Sequence, residues 1–285
     1  MIKLHVTGVG DAFTERHHNA SLCIEEPRSG VRVQIDCPPA YPRVLADHRR
    51  RSGSDLAVEN IDHLILTHLH GDHCGGTEAY LYMRRFLVGK KPVLYGAPEV
   101  LDPLWPTRLQ GGMEELLLDV PRETDAAAVA DRIRARAQPE AAPPDTTRER
   151  LGEPGPRKQL GLLDYTDRVD LGAGTTRIGP LRIERRFTRH HIPTTALRIS
   201  LEGRARPLIG YSADTAFDPE LIAWLAESEL VIHETNHGVH TPLASLLLVP
   251  EAIRARMRLI HYPDQLDPDT APITCLREGT VLEVG

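Results

Sequence analysis

The chain has 285 residues, a formal net charge of −6, 41% hydrophobic content and only 5% aromatics. That length suits one large α/β domain with an aliphatic core, and the charge argues against a protein held to nucleic acid by a broad basic surface. No run approaches 18 apolar residues, which leaves no candidate membrane span, and the cysteines at 23, 37, 74 and 275 form no C-x-x-C pair, so neither a disulfide framework nor a zinc ribbon is indicated.

The opening residues MIKLHVTGVGDAF hold one lysine and a very short apolar run. They read as a first strand and not as a signal peptide, and reduced thiols in a cytoplasmic setting are the expectation. Residues 3–7, 22–25 and 31–35 are short β-prone runs separated by Gly, Asn, Pro and Ser. Residues 44–51 suit a helix and 63–67 a buried strand. Thr77 can cap a helix running to about residue 87, and 92–95 suits another strand. From about residue 98 the texture changes. Residues 126–137 (AAAVADRIRARA) suit a helix, and 138–159 carry five prolines and many charges. The stretch 98–159 therefore reads as an insertion: a lid over an active-site mouth, a docking arm, an interface or a disordered segment. Order returns near Val169. Strands are expected at 176–178, 181–187, 196–201, 207–210 and 230–233, with helices at 219–227 and 250–257 and a last short strand at 258–261. The mixture fits layered α/β architecture.

Chemistry concentrates in HLILTHLHGDHCGG, residues 63–76. An apolar run leads directly into His68, His70, Asp72 and His73. Alternation aims His68 and His70 the same way, and Gly71 permits a sharp bend before Asp72 and His73 open the next helix. Four candidate ligands thus sit on one turn. Imidazole and carboxylate suit zinc, manganese or iron, and the lack of thiolate argues against a structural zinc knot. Any one of these residues alone would more simply be read as a polar group on a solvated loop.

The string Thr67-His68-Leu69-His70-Gly71-Asp72-His73-Cys74-Gly75-Gly76 resembles the first signature of the metallo-β-lactamase superfamily. GVGDAF (8–13) and QIDCPP (34–39) resemble the opening strands of the branch containing RNase Z and related phosphodiesterases, although Cys37-Pro38 stands where that branch commonly has Cys-Gly. The resemblance implies a four-layer αββα sandwich, one domain over residues 1–285 with the insertion at about 98–159. It implies that Asp36 supports the metal loop without binding metal. HHIPTTALR (190–198) is similar to the third motif and selects His190 as a ligand, with His191 as second choice. YSADT (211–215) makes Asp214 a bridging carboxylate, and His261 follows the last strand. The implied centre holds two divalent ions: His68, His70 and His190 on one, Asp72, His73 and His261 on the other, and Asp214 with a water or hydroxide between them. Zinc is the first expectation, with manganese or iron as alternatives.

Two adjacent cations make a hydrolase the direct expectation, with Asp72 next to the nucleophile. VIHET (231–235) and His240-Thr241-Pro242 resemble two further segments of the RNase Z branch, the second with Thr-Pro in place of Ser-Thr. They imply that His240 contacts the scissile phosphate or protonates the leaving oxygen, and that Glu234 orients His240. The leading expectation is a phosphodiesterase acting on a small or cyclic nucleotide-type diester. Processing of RNA 3′ ends stands behind it, because 98–159 mixes Arg122, Arg132, Arg134, Arg136, Arg148, Arg150, Arg157 and Lys158 with many acids and lacks a glycine-rich, lysine-bearing arm. A lactone or thioester hydrolase on the same ions is a further alternative. A non-catalytic metal-stabilised module comes last, since every ligand position carries a ligating residue. A homodimer is expected from relatives in that branch.

Overall fold

In the computed structural model, which describes residues 1–117, 127, 130, 131, 133, 134 and 157–285, most strands expected from sequence join two large sheets. β1 (Ile2–Gly8), β2 (Ser21–Glu26) and β3 (Val31–Ile35) form an antiparallel meander. α1 (Tyr41–Ser52) carries the chain back to β4 (His63–Ile65), which lies parallel to β3. α1 has Pro42 in its first turn and stops at Gly53, whose φ of +71° lets its amide close on the Arg49 carbonyl.

The expected strand at 63–67 is shorter than its apolar pattern, because the Thr67 amide leaves the ladder and donates to the Asp36 carboxylate at 2.8 Å. α2 (Gly71–Cys74) and α3 (Thr77–Tyr82) follow. The helix expected from Thr77 does continue, but Met83–Val88 widens into a π turn. β5 (Val93–Gly96) then runs parallel to β4. α4 (Pro98–Leu104) and a second π turn, Trp105–Leu109, come next.

The backbone divides into two compact units, 1–108 with 162–285, and 109–161. In the second unit, α5 (Gln110–Met113) precedes β6 (Glu115–Leu117), which pairs antiparallel with β7 (Arg157–Gln159). The helix expected at 126–137 and the proline-rich run at 138–159 fall almost wholly outside the described residues.

In the first unit, α6 (Leu162–Tyr165) leads to β8 (Asp167–Asp170), which joins β5 in parallel. Its sequence DRVD hides a strand, since β8 is an edge whose single apolar residue, Val169, is enough to pack against the core. The second sheet runs through β9 (Thr176–Ile178), β10 (Leu181–Phe187), β11 (Thr195–Leu201), β12 (Ile209–Tyr211), α7 (Pro219–Leu225) and β13 (Leu230–Glu234). Asp218 caps α7, accepting from the amides of Glu220 and Leu221. α8 (Leu243–Leu246) and α9 (Glu251–Arg254) precede β14 (Met257–Ile260). The helix expected at 250–257 is therefore a single turn. Nor is 258–261 the last strand: β15 (Val281–Val284) returns to pair with β1 and close the first sheet.

The first sheet has the order β15-β1-β2-β3-β4-β5-β8 and the second β14-β13-β12-β11-β10-β9. Their inner faces share one aliphatic core, including Leu4, Leu22, Ile183, Leu197 and Leu259, all at most 1% exposed. Helices cover the outer faces, α1 against β1, α7 against β12 and α9 against β14. The architecture is a four-layer αββα sandwich. Cys23, Cys37, Cys74 and Cys275 are buried free thiols. No helix among the described residues is long and apolar enough to cross a membrane.

Candidate active site

β3, β4, β5 and β8 are parallel in one sheet, and β12, β13 and β14 are parallel in the other. Loops leaving the carboxyl ends of such strands collect at one edge, where open α/β sheets place their ligands. Asp36 follows β3, residues 67–73 follow β4, Asp214 follows β12, Glu234 ends β13 and His261 follows β14. His190 comes from the hairpin that joins β10 to β11. Three of these turns need left-handed backbone at residues other than glycine: Asp36 (φ 60°), Ala213 (φ 49°) and His261 (φ 53°). Strain of this kind is retained where side-chain placement is worth more than local comfort.

The edge brings the sequence-derived residues together. Ligand atoms of His68, His70, His190 and Asp214 lie within 4.8 Å of one another, as do those of Asp72, His73 and His261. His68 Nε2 is 3.1 Å from His70 Nδ1, and His190 Nε2 is 3.3 Å from the same atom. His73 Nε2 lies 3.3 Å from both Asp72 Oδ2 and Asp214 Oδ1. His261 Nε2 is 3.3 Å from Asp72 Oδ2 and 3.6 Å from Asp214 Oδ2. Asp214 therefore touches both groups. Of the two adjacent histidines, His190 enters the first group. His191 is exposed and faces the other nitrogen of His70, 3.0 Å from its Nε2.

These spacings fit metal ligation. With bonds of about 2.0–2.1 Å, the ligands of a tetrahedral ion stand about 3.4 Å apart. Buried His73 Nε2 and Asp214 Oδ1 have no hydrogen-bond partner of suitable geometry, a costly state that a cation relieves. Charge points the same way. Burial, reinforced by neighbouring His73, holds His68 well below the usual imidazole pKa, so its lone pair is free. Burial opposes ionisation of Asp214, but His261 and His73 outweigh it and keep the carboxylate charged. Burial likewise opposes charge on His73, yet Asp214, Asp72 and Asp36 pull its pKa well above the usual value. The acids at this edge thus demand positive charge, and the residues present suit divalent metal.

The surrounding groups fix the ring orientations. His73 Nδ1 meets Asp36 Oδ2 at 2.9 Å, while Asp36 also accepts from the Thr67 amide and hydroxyl. The Thr67 carbonyl accepts from the Thr195 amide at 3.1 Å and so ties β11 of the second sheet to this turn. Asp36 meets the His73 ring and stands outside both candidate groups. His240 Nδ1 meets Glu234 Oε1 at 2.9 Å, and Glu234 Oε2 lies 3.8 Å from His261 Nδ1. Burial works against charge on the His240 ring, but Glu234 and Asp214 overcome it and raise its pKa. His240 also lies within ligand reach of Asp214 and His261, so geometry alone permits it as a ligand.

Sequence reading missed the anchors of Glu234: the Thr215 amide donates to Oε1 at 2.6 Å, and the Glu234 amide donates to the Ser212 hydroxyl at 2.9 Å. Both residues lie in the YSADT run that also carries Asp214. It also missed Asp11, whose Oδ2 accepts from the Asn236 side chain at 2.8 Å. No sequence signal marks that pairing across 225 positions.

A family model described as "Anti-Pycsar protein Apyc1" matches residues 2–129 and 153–279. The chain belongs to the Anti-Pycsar protein Apyc1 family. An Apyc1 protein of Saccharibacillus brassicae is 27% identical over 296 residues, covering 99% of this chain and 100% of that one. Among solved structures, the metallo-beta-lactamase fold protein YhfI from Bacillus subtilis superposes with a TM-score of 0.66 at 15% identity, over 100% of this chain and 99% of that one. Human tRNase Z, short form, gives 0.59 at 14% identity over 99% of each chain. At such identities the structural likeness speaks for the fold, which is that of the metallo-β-lactamases. This Apyc1-family chain is a metal-dependent hydrolase.

Proposed function

We propose that this Apyc1-family hydrolase is a phosphodiesterase for a small cyclic nucleotide, working with two divalent ions, zinc in the first instance. The observation that carries the reading is the convergence of seven ligating side chains beside the His240–Glu234 pair. His68, His70 and His190 would hold one ion, Asp72, His73 and His261 the other, and Asp214 would serve both. When bound, such ions supply Lewis acidity toward a phosphoryl oxygen and lower the pKa of a coordinated water. Asp72, beside His73 and His261, would accept the proton that such a water gives up. With Nδ1 taken by Glu234, His240 presents Nε2 to the substrate. As the ring P–O bond breaks, His240 gives its Nε2 proton to the departing oxygen, and Glu234 stabilises the ring while it is charged. A thiolate departs without a proton, so this donor favours a diester over a thioester.

The 1–285 chain is read as one metallo-β-lactamase-fold domain with 98–159 inserted, acting as a cytoplasmic homodimer; light scattering on the purified protein tests the pairing. Metal analysis coupled to hydrolysis of 3′,5′-cyclic nucleotides, a lactone panel and precursor transfer RNA tests the activity. About two ions per chain and turnover concentrated on cyclic nucleotides are expected. Turnover confined to lactones or to transfer RNA ends overturns the reading.

A further inference from the structure

Beside the metal-ligating edge, on the His70 side, lies a cleft of about 280 Å³ within the first unit. Its walls are Leu69 and Val100, both largely buried, with Pro103, Ile192 and Pro193. They come from the signature turn, from α4, and from the stretch just after His190 and His191. His70 lines the cleft as well, so the cleft is continuous with the ligand groups. Its rim differs from its walls. Glu99, Thr107 and Arg108 are exposed there. Thr107 spends its hydroxyl on the Pro103 carbonyl at 2.6 Å. Neither Glu99 nor Arg108 forms a side-chain hydrogen bond or ion pair among the described residues, so an acceptor and a donor stand free over an apolar slot.

We infer that this cleft seats the base of the nucleotide substrate, with Glu99 and Arg108 reading its edge. The inference rests on the cyclic-nucleotide reading and adds to it where the base goes and what discriminates among bases. The volume lies at the low end of small-ligand sites, enough for one flat heterocycle and too little for a stacked oligonucleotide. Apolar walls accept the faces of a ring, and polar groups at the mouth meet its edge. A carboxylate accepts from amino and imino N–H groups, and a guanidinium donates to carbonyl and ring-nitrogen acceptors. Adenine, cytosine and guanine each present an exocyclic amino group. Uracil presents a single imide N–H between two carbonyls, so Glu99 favours the amino-bearing bases.

The test uses the metal-loaded full-length protein and two ratios. The first compares kcat/KM on cyclic nucleotides with that on ribose 3′,5′-cyclic phosphate lacking a base. Thr107→Trp, at an exposed position, puts an indole over the slot and is expected to lower this ratio at least 10-fold, mainly through KM of the base-bearing substrates. The second compares cyclic CMP with cyclic UMP. Glu99→Gln is expected to shift it about 3- to 10-fold toward uracil, the scale of one hydrogen bond partly open to water. If both ratios stay unchanged in active variants, the base does not enter the cleft and the inference falls while the phosphodiesterase reading stands. A wild-type protein that cleaves neither cyclic substrate removes the reading and the inference together.

Discussion

Two groups of buried histidines behave in opposite ways. Behind the first sheet, His5 Nδ1 meets His48 Nε2 at 3.2 Å, His48 Nδ1 meets the Val6 carbonyl at 3.2 Å, and His5 Nε2 faces Glu25 at 3.2 Å. Every ring nitrogen there has a protein partner, and one carboxylate borders the pair. At the carboxyl-end edge, six histidines, three of them buried, share their space with Asp72, Asp214 and Asp36, and ring and carboxylate atoms remain unpaired. Burial of imidazole is common to both. What separates a packed histidine from a metal-ready one is the surplus of acid and the unmet lone pairs.

That contrast breaks first, and most severely, if Asp214→Ala or His70→Ala leaves metal and turnover intact. Each substitution is expected to take hydrolysis to background and to reduce bound metal, read by elemental analysis on the same sample. His240→Ala comes next. Turnover is expected to fall about 10²- to 10⁴-fold, the usual scale for a general acid, while metal content stays nearly intact. Loss of one ion in that variant would show His240 to be a ligand. Asp36→Ala, which frees His73 Nδ1, is expected to weaken metal affinity about 10- to 100-fold, measured by competition with a chelator.

The paired group is expected to report on stability instead. Burial, helped by the neighbouring His5, brings His48 down to about 4 from the ordinary 6.5. Between these values the unfolded chain binds the extra proton and the folded chain does not, so unfolding free energy rises with pH through that window. Stability is therefore lost as pH falls from 6.5 toward 4. In His48→Gln that part of the loss should vanish, as seen in urea unfolding at pH 7 and pH 4.5 on chelator-treated protein. An unchanged acid loss would show that the burial penalty lies elsewhere.

His68, His70, Asp72 and His73 were legible from the chain because one turn of backbone carries all four. Period-two geometry and a glycine bend are local properties, and local properties are written in consecutive residues. His190, Asp214, His240 and His261 entered only through resemblance to a family, since nothing local separates them from solvated polar groups. The hairpin turns the His190 ring toward the first candidate group and leaves His191 exposed, a difference that adjacent residues in a sequence do not show. Four short strands were missed: β8 and β15 form because β5 and β1 offer open edges, and β6 and β7 form by pairing with each other.

The sequence by itself determined the layered α/β class, most strands of both sheets and the first ligand turn, because hydrophobic period and turn residues act over a few positions. Only the tertiary structure decided which acid steadies which histidine, that Glu234 stands between His240 and His261, and that Leu69, α4 and Ile192 enclose a cleft beside His70. Those relations join residues from six to more than a hundred positions apart. They are set by how two twisted sheets bring their carboxyl ends to one edge, a geometry that no single stretch of chain contains.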